Sequence, residues 1–346
     1  MKIGFTYDLK TDWQKRDSDP TDINAEFDKP ETIDLVVQAL EAGGHKVERI
    51  GNVQNLIRVL DALDVDIVFN LCEGRMGRNR ESLVPNLLQE WNIPFVGADA
   101  LTQGITLDKV VAKRLFAEAG LPTAPFFEAL PTDDLEKLNT IGYPLMVKTR
   151  HEGSSKGIDD QSRVTNLGEL RKRVQFIYDR YKQSAIVEKF IPGPECTVPV
   201  LGNEEATAMP IIQVSIDGKT DLGNYIYTNR LIYSDTLQYI CPAQFSKELT
   251  DKIQALSVAA FRSVQCRDLG RVDFRIDTAG NPYILEINPL PTLDLSDSFN
   301  IFPSLFGLTH ADIINLVIEI AAARNGLTDK KETDILQPFK QEIVLK

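Results

Sequence analysis

The stretch from Arg271 to Asn288 leaves this chain little freedom in how it folds. One arm reads Arg271, Val272, Asp273, Phe274, Arg275, Ile276, Asp277, and the other runs from Pro282 to Asn288. Thr278, Ala279, Gly280 and Asn281 form a turn sequence between them, so the pattern predicts an antiparallel hairpin. Side chains alternate across a strand, which places Val272, Phe274 and Ile276 on one face with Tyr283, Leu285 and Ile287, and the charged residues on the other. A symmetric turn centred on Ala279 and Gly280 sets Asp273 opposite Glu286 and Arg271 opposite Asn288. Facing like charges cost about 0.2 to 1 kcal/mol. A hard cation would offset that cost, because Mg²⁺ is held by one or two carboxylates and completes its shell with waters and substrate phosphates. Asn288 would add a carbonyl oxygen from the same face. The hairpin alone leaves a plain solvated face as the alternative. Pro289, Leu290 and Pro291 stop the strand at once, and ligand sites often lie beside such ends.

With 346 residues the chain is long enough for two or three domains. Its net charge of -12 argues against a nucleic-acid partner. No apolar run approaches the ~20 residues of a membrane span, and no signal-peptide pattern follows Met1 to Tyr7, so no membrane partner and a cytoplasmic location are expected. Cys72, Cys196, Cys241 and Cys266, like His45, His151 and His310, lack the spacing of a zinc site or a disulfide framework.

Lys2 to Tyr7, Lys46 to Ile50 and Asp66 to Asn70 read as strands and Pro30 to Ala42 as a helix, an alternation that predicts a parallel sheet with crossover helices. Ligands in such sheets bind beyond the carboxyl ends of the strands. Those ends are the loop Asp8 to Lys29, either a lid or a disordered segment, and the stretch Asn70 to Glu81. A further short strand is expected over Asn92 to Gly97. Lys109 falls in the first turn of a helix read over Leu107 to Gly120, where a lysine opposes the helix dipole but suits a phosphate; a solvated surface lysine is the plainer alternative. Pro144 to Lys148 reads as a strand that ends in a lysine and leads into Thr149 to Gly157, a loop with glycines, serines and basic residues but no Walker A spacing. A helix over Leu167 to Tyr181 and a strand over Ala185 to Phe190 follow, with Glu188, Lys189, Phe190 and Ile191 forming either a hinge that clamps a base or an ordinary edge. Asp217 to Tyr239 has no clean period and reads as a loop. Ser246 to Cys266 and His310 to Arg324 have helical apolar spacing. The segment past Thr328 reads as a polar, peripheral tail.

In this order the pieces resemble the ATP-grasp superfamily, most closely the D-alanine:D-alanine ligase family. The residues that carry the resemblance are Thr106 to Lys109, Val147 to Gly157, Val187 to Val198, Cys241 to Ala243 and Gly270 to Pro289. It implies an α/β ATP-grasp fold, with an N-terminal parallel α/β domain over 1–105 and two α+β domains, 106–191 and 192–330, clamping the nucleotide, followed by the tail 331–346. It further implies that Lys109 and Lys148 contact ATP phosphates and that Gly153, Ser154 and Ser155 close over them, Ser154 also touching the substrate carboxylate. Glu188 and Glu195 would meet adenine and ribose, with Lys189, Phe190, Ile191 and Phe274 completing the nucleotide pocket. Asp273, Glu286 and Asn288 would hold two Mg²⁺ ions, or Mn²⁺ in their place, and Arg271 would stabilise the charge on the tetrahedral intermediate. The partners implied are small-molecule amino acids and a second copy in a homodimer.

The departures point to a changed substrate. The family's mobile-loop Lys-Tyr pair is matched by Leu231 and Ile232, with Arg230, Tyr227 or Tyr233 as candidate substitutes. Its His-Gly motif is replaced around Cys72, Glu73 and Gly74, and a glycine after the metal pair by Thr292. Glu26 and Glu73 are candidates for an ammonium, and Ser296 or Ser298 for orienting the second substrate. The expected activity is an ATP-dependent, ADP-forming carboxylate-amine ligase that joins an amino acid to another small molecule through an acyl phosphate, in specialised metabolism of the mycosporine-like amino acid kind. A D-alanine:D-alanine ligase, or a non-catalytic nucleotide-binding module, is the alternative.

Overall fold

The structure, a computed structural model, describes residues 1–137, 140–228, 231, 234–294 and 298–339. Three strands, β1 (Lys2–Tyr7), β2 (Lys46–Gly51) and β3 (Ile67–Leu71), pair in parallel in the order β2-β1-β3. β3 is buried along its whole length, as a strand covered on both faces should be. On one face lies α1 (Pro30–Ala42); on the other, Leu56 of α2 (Val53–Val59) and Val84 and Leu88 of α3 (Leu83–Glu90) close a second core. The strand expected over Asn92 to Gly97 pairs only through a single bridge of Phe95 to Val68.

The helix expected over Leu107 to Gly120 is two helices, α4 (Ala100–Leu107) and α5 (Lys109–Glu118), broken at Asp108. Asp108 has an extended backbone, and its carboxylate accepts from the Val110 and Val111 amides, capping α5. A four-stranded sheet follows, built from β4 (Phe126–Ala129), β5 (Leu145–Thr149), β6 (Arg163–Val164) and β7 (Ala185–Lys189) in the order β4-β7-β5-β6. α6 (Leu167–Tyr181) packs on it through Leu170, Val174 and Ile177.

The largest sheet runs β11 (Leu237–Ile240), β10 (Ile212–Ile216), β8 (Glu195–Gly202), β12 (Asp268–Ile276), β13 (Pro282–Asn288), with β9 (Thr207–Ala208) on β8. α7 (Lys247–Ser263) covers one face with Ile253, Ala260 and Phe261. Between β7 and β8, Gly193 has φ +133, and a Cβ there would stand 2.1 Å from the Ile276 carbonyl oxygen. Only glycine fits that crossing.

Hairpin β12–β13 brings Asp273 opposite Glu286 and Arg271 opposite Asn288, but not through a symmetric turn. Asp277 nucleates the loop by accepting from the Ala279 and Asn281 amides, and pairing restarts at Ile276 with Pro282. Carried on unbroken, that register would misalign the acids by one residue. A bulge at Leu285 restores it, since Phe274 pairs with Ile284 and Asp273 with Glu286. The buried face is therefore Val272, Phe274, Ile276, Ile284 and Ile287. Leu285 is turned to the opposite side, contrary to the simple alternation.

The described part of the tail, residues 331–339, is not peripheral. α8 (Phe302–Phe306), α9 (His310–Arg324) and α10 (Glu332–Leu336) return to the first sheet, where Ile335, Leu336 and Phe339 join Ile3, Phe5, Val36 and Val317 in one core. No single described helix is long and apolar enough to cross a membrane.

Candidate active site

One cavity of about 330 Å³ lies where the three sheets meet. Two helix and strand ends aim lysines into it. Lys109 begins α5, and its amide donates to the Arg150 carbonyl just beyond β5 (3.1 Å). The capping Asp108 also holds the Arg150 guanidinium through two 2.7 Å contacts. His151 and Arg150 keep the Asp108 carboxyl well below its usual range although burial opposes this. The same aspartate therefore fixes both the helix start and the exit of the strand that carries Lys148.

Lys148 is 7% exposed and ion-paired with Glu188, which is 2% exposed and lies within 3.0 Å of Lys113. Burial alone would raise Glu188; the two lysines hold it at about 2. Burial pushes the Lys113 ammonium down, with Glu188 opposing. The sequence reading missed Lys113, although its place one turn beyond Lys109 on α5 was visible. Glu286 lies 3.2 Å from Lys109, and despite burial it is held below its usual range by Lys109 and Lys148. Across the hairpin, Asp273 receives Arg271 (3.1 and 3.2 Å) and the Thr197 hydroxyl. Asn288 turns its side-chain oxygen onto the Leu290 amide (2.9 Å).

These hard oxygens fit magnesium. Each carboxylate already draws a cation, and no three His, Cys, Asp or Glu residues gather into a self-sufficient metal site among the described residues. That suits an ion completed by phosphate oxygens and water.

The hinge residues Lys189, Phe190 and Ile191 line the cavity, as do Glu195 and Leu285. Phe190 is buried between the guanidinium groups of Arg163 (5.2 Å) and Arg275 (5.3 Å), while Arg275 also grips Glu195 (2.8 Å) and the Ile191 carbonyl (3.1 Å). Phe274 is a correction. It is fully buried in the core behind the sheet, and the apolar residues that the hairpin gives to the cavity wall are the bulged Leu285 and Ile287.

The loop 8–29 is folded onto the glycine-serine loop. Glu26 accepts from Arg80 (2.8 and 2.9 Å), from Lys156 (2.7 Å) and from the Gly153 amide. Asp22 accepts from the Gly157 amide (2.9 Å) and the Tyr181 hydroxyl (2.8 Å). A Cβ on Gly153 would meet the Glu26 carboxylate at 2.8 Å, so this approach requires glycine. Ser154 and Ser155, with φ of 46 and 54, take left-handed backbone and line the cavity. Glu26 is thus no open carboxylate for an ammonium. Its charge is consumed by Arg80 and Lys156, which hold it at about 2 against burial. Glu26 lines the cavity, and its partner Arg80 comes from a different strand end.

Glu73 does line the cavity. So does Tyr227, its hydroxyl 3.0 Å from that of Tyr239. Arg230, Tyr233 and Ser296 lie outside the described residues, as does the side chain of Ser298.

The profile of the D-ala D-ala ligase C-terminus matches residues 115–319, more than half the chain. The chain belongs to the ATP-grasp D-alanine:D-alanine ligase-like family. It is 32% identical over 305 residues to the uncharacterized protein y4sG of Sinorhizobium fredii, covering 85% of this chain and 89% of that one. It is also 32% identical over 318 residues to a D-alanine–D-alanine ligase of Herminiimonas arsenicoxydans, covering 89% of each. Among solved structures, the D-alanine–D-alanine ligase of Bacillus anthracis complexed with ATP superposes with a TM-score of 0.73 at 19% identity, over 94% of this chain and 99% of that one. The VanG D-Ala:D-Ser ligase of Enterococcus faecalis gives 0.70 at 18% identity, over 92% and 99%. These two share the ATP-grasp fold. Family membership makes the chain an ATP-grasp carboxylate-amine ligase, an enzyme that forms a C–N bond.

Proposed function

We propose that this ligase joins an amino acid to a second small molecule other than D-alanine, in specialised metabolism rather than in cell-wall synthesis. The observation that carries the reading is a contrast within one cavity. Lysines and hairpin acids suited to a metal triphosphate line one part, while Glu73 and Thr292 replace the family's histidine and glycine on the acceptor side.

ATP would lie with its base against Phe190 and Leu285 and its phosphates between Lys109, Lys148 and the loop at Gly153, Ser154 and Ser155. Asp273, Glu286 and Asn288 would hold two Mg²⁺ ions, which supply neutralising charge on the phosphates. Phosphoryl transfer asks mainly for position and charge neutralisation. A substrate carboxylate oxygen attacks the γ-phosphorus and ADP leaves. A neutral amine then attacks the acyl carbon, and inorganic phosphate and a proton leave. Arg271 would stabilise the oxyanion that forms in that second step.

The test is ADP release with ATP, Mg²⁺ and a panel of amino acids, singly and in pairs. D-alanine alone is expected to give no more than the basal rate, and a pair lacking it to stimulate. Strong release with D-alanine alone would make the protein a D-alanine:D-alanine ligase.

A further inference from the structure

Behind the glycine-serine loop, Glu26, Glu73, Glu81 and Glu152 gather around Arg80 and Lys156. Arg80 donates to both oxygens of Glu26 and to the His151 carbonyl (2.7 Å), and Lys156 bridges Glu26 and Glu152. Glu152 also accepts from Gln183 (2.8 Å). Both cations are therefore taken up by Glu26 and Glu152. Glu81 is 6% exposed, and its nearest opposite charge is Arg80 at 3.9 Å, beyond hydrogen-bond reach. Among the described residues neither Glu81 nor Glu73 has a side-chain hydrogen bond, and both line the cavity.

A buried carboxylate without a partner is costly to ionise, and a cationic ligand group beside it removes that cost. Burial raises Glu73 well above its usual value, with Glu81 and Glu26 adding to the effect. Glu73 follows β3 directly and Glu81 sits in the next turn, at the carboxyl end of the parallel sheet where such folds take ligands. Asp28 and Asp294 line the same cavity. Asp294 already accepts from the Thr32 hydroxyl (2.6 Å), and an amino acid with an uncharged side chain brings one ammonium to the pair Glu73 and Glu81. A second cationic group would match them better.

We infer that Glu73 and Glu81 form a subsite for the charged side chain of a basic amino acid, an amine or guanidine, so that the substrate of this ligase carries two cationic groups. The inference rests on the ligase reading and narrows its substrate class. A planar guanidinium has donors enough for both carboxylates at once.

Calorimetric titration in the presence of Mg²⁺ and a non-hydrolysable ATP analogue tests it without relying on turnover. Arginine is compared with citrulline, and lysine with norleucine, each as both enantiomers. The charged member of at least one pair should bind about tenfold or more tightly than its neutral counterpart, as hydrogen bonds to a charged group imply. In Glu73→Gln/Glu81→Gln protein that preference should vanish while the ATP analogue binds as before. Equal binding of charged and neutral members in the parent protein, no binding of either charged amino acid, or a preference that survives the double substitution would each overturn the assignment. The parent comparison needs no variant to fold. ADP release measured in parallel separates the two readings: a binding preference without turnover would count against the ligase reaction and leave the subsite standing.

Discussion

At one end of the cavity, Lys148 and Lys113 share Glu188, Lys109 meets Glu286, and Arg271 meets Asp273. At the other end, among the described residues, neither Glu73 nor Glu81 has a side-chain hydrogen bond, Arg80 stands 3.9 Å from Glu81, and Asp28 is raised in part by Asp294. The first region grows from helix starts and paired strands, whose geometry brings opposite charges together. The second grows from the segments that follow β1, β3 and β13, where the chain is free to change. On the proposed reading, the substrate supplies the charge that Glu73 and Glu81 lack.

The contrast breaks most sharply at the balanced end. Lys148→Ala should lower ADP formation about 10²- to 10³-fold, the usual loss when a charge-stabilising donor is removed. A rate within a few-fold of the parent in a steady-state assay would show that Lys148 is not at the phosphates. Next in size is Arg80→Ala, which leaves Glu26 buried with Lys156 alone and should cost about 3 to 5 kcal/mol in urea denaturation, as broken buried ion pairs do. Adding Glu26→Gln should recover part of that loss; no recovery would mean that Arg80 acts through packing.

The unbalanced end should reveal itself in pH dependence. Asp28 and Glu81 are raised to about 7, chiefly by burial, Asp28 also by Asp294 and Glu81 also by Glu26, against Arg80. Both bind protons more tightly when folded, so their contribution is complete below the ordinary carboxylate range and is lost as pH rises through 7. Glu26 and Glu188, held at about 2, contribute above the ordinary range and lose their effect only as pH falls toward 2. Between about pH 5 and 8, the ligand-free Asp28→Asn/Glu81→Gln protein should therefore show a melting temperature less diminished by rising pH than the parent does. Parallel curves would place these groups in better-solvated surroundings. The smallest effect is expected from Leu285→Ala, which trims the apolar wall of the nucleotide pocket and should weaken binding of the ATP analogue by about 1 kcal/mol. Unchanged affinity would return Leu285 to the list of bystanders.

Much of this was legible in the sequence because it lies within single elements. Leu167 to Tyr181 and His310 to Arg324 are helices with the bounds their apolar spacing gave. The facing of Asp273 and Glu286 was also legible, though for an incomplete reason, since an odd loop and a bulge compensate each other. The same bulge explains why alternation misplaced Leu285, and burial behind the sheet explains Phe274. What could not be read was partnership between distant segments. Nothing near Glu26 announces that Arg80 will take its charge, or that residues 332–339 will return to the first core.

Whether a metal triphosphate sits between the hairpin acids and the lysines is decided most directly by calorimetric binding of the ATP analogue with and without Mg²⁺, in the parent and in Asp273→Asn/Glu286→Gln protein. The expected result is tight, magnesium-dependent binding in the parent and loss of the magnesium dependence in the variant. Equal magnesium dependence in both would contradict it.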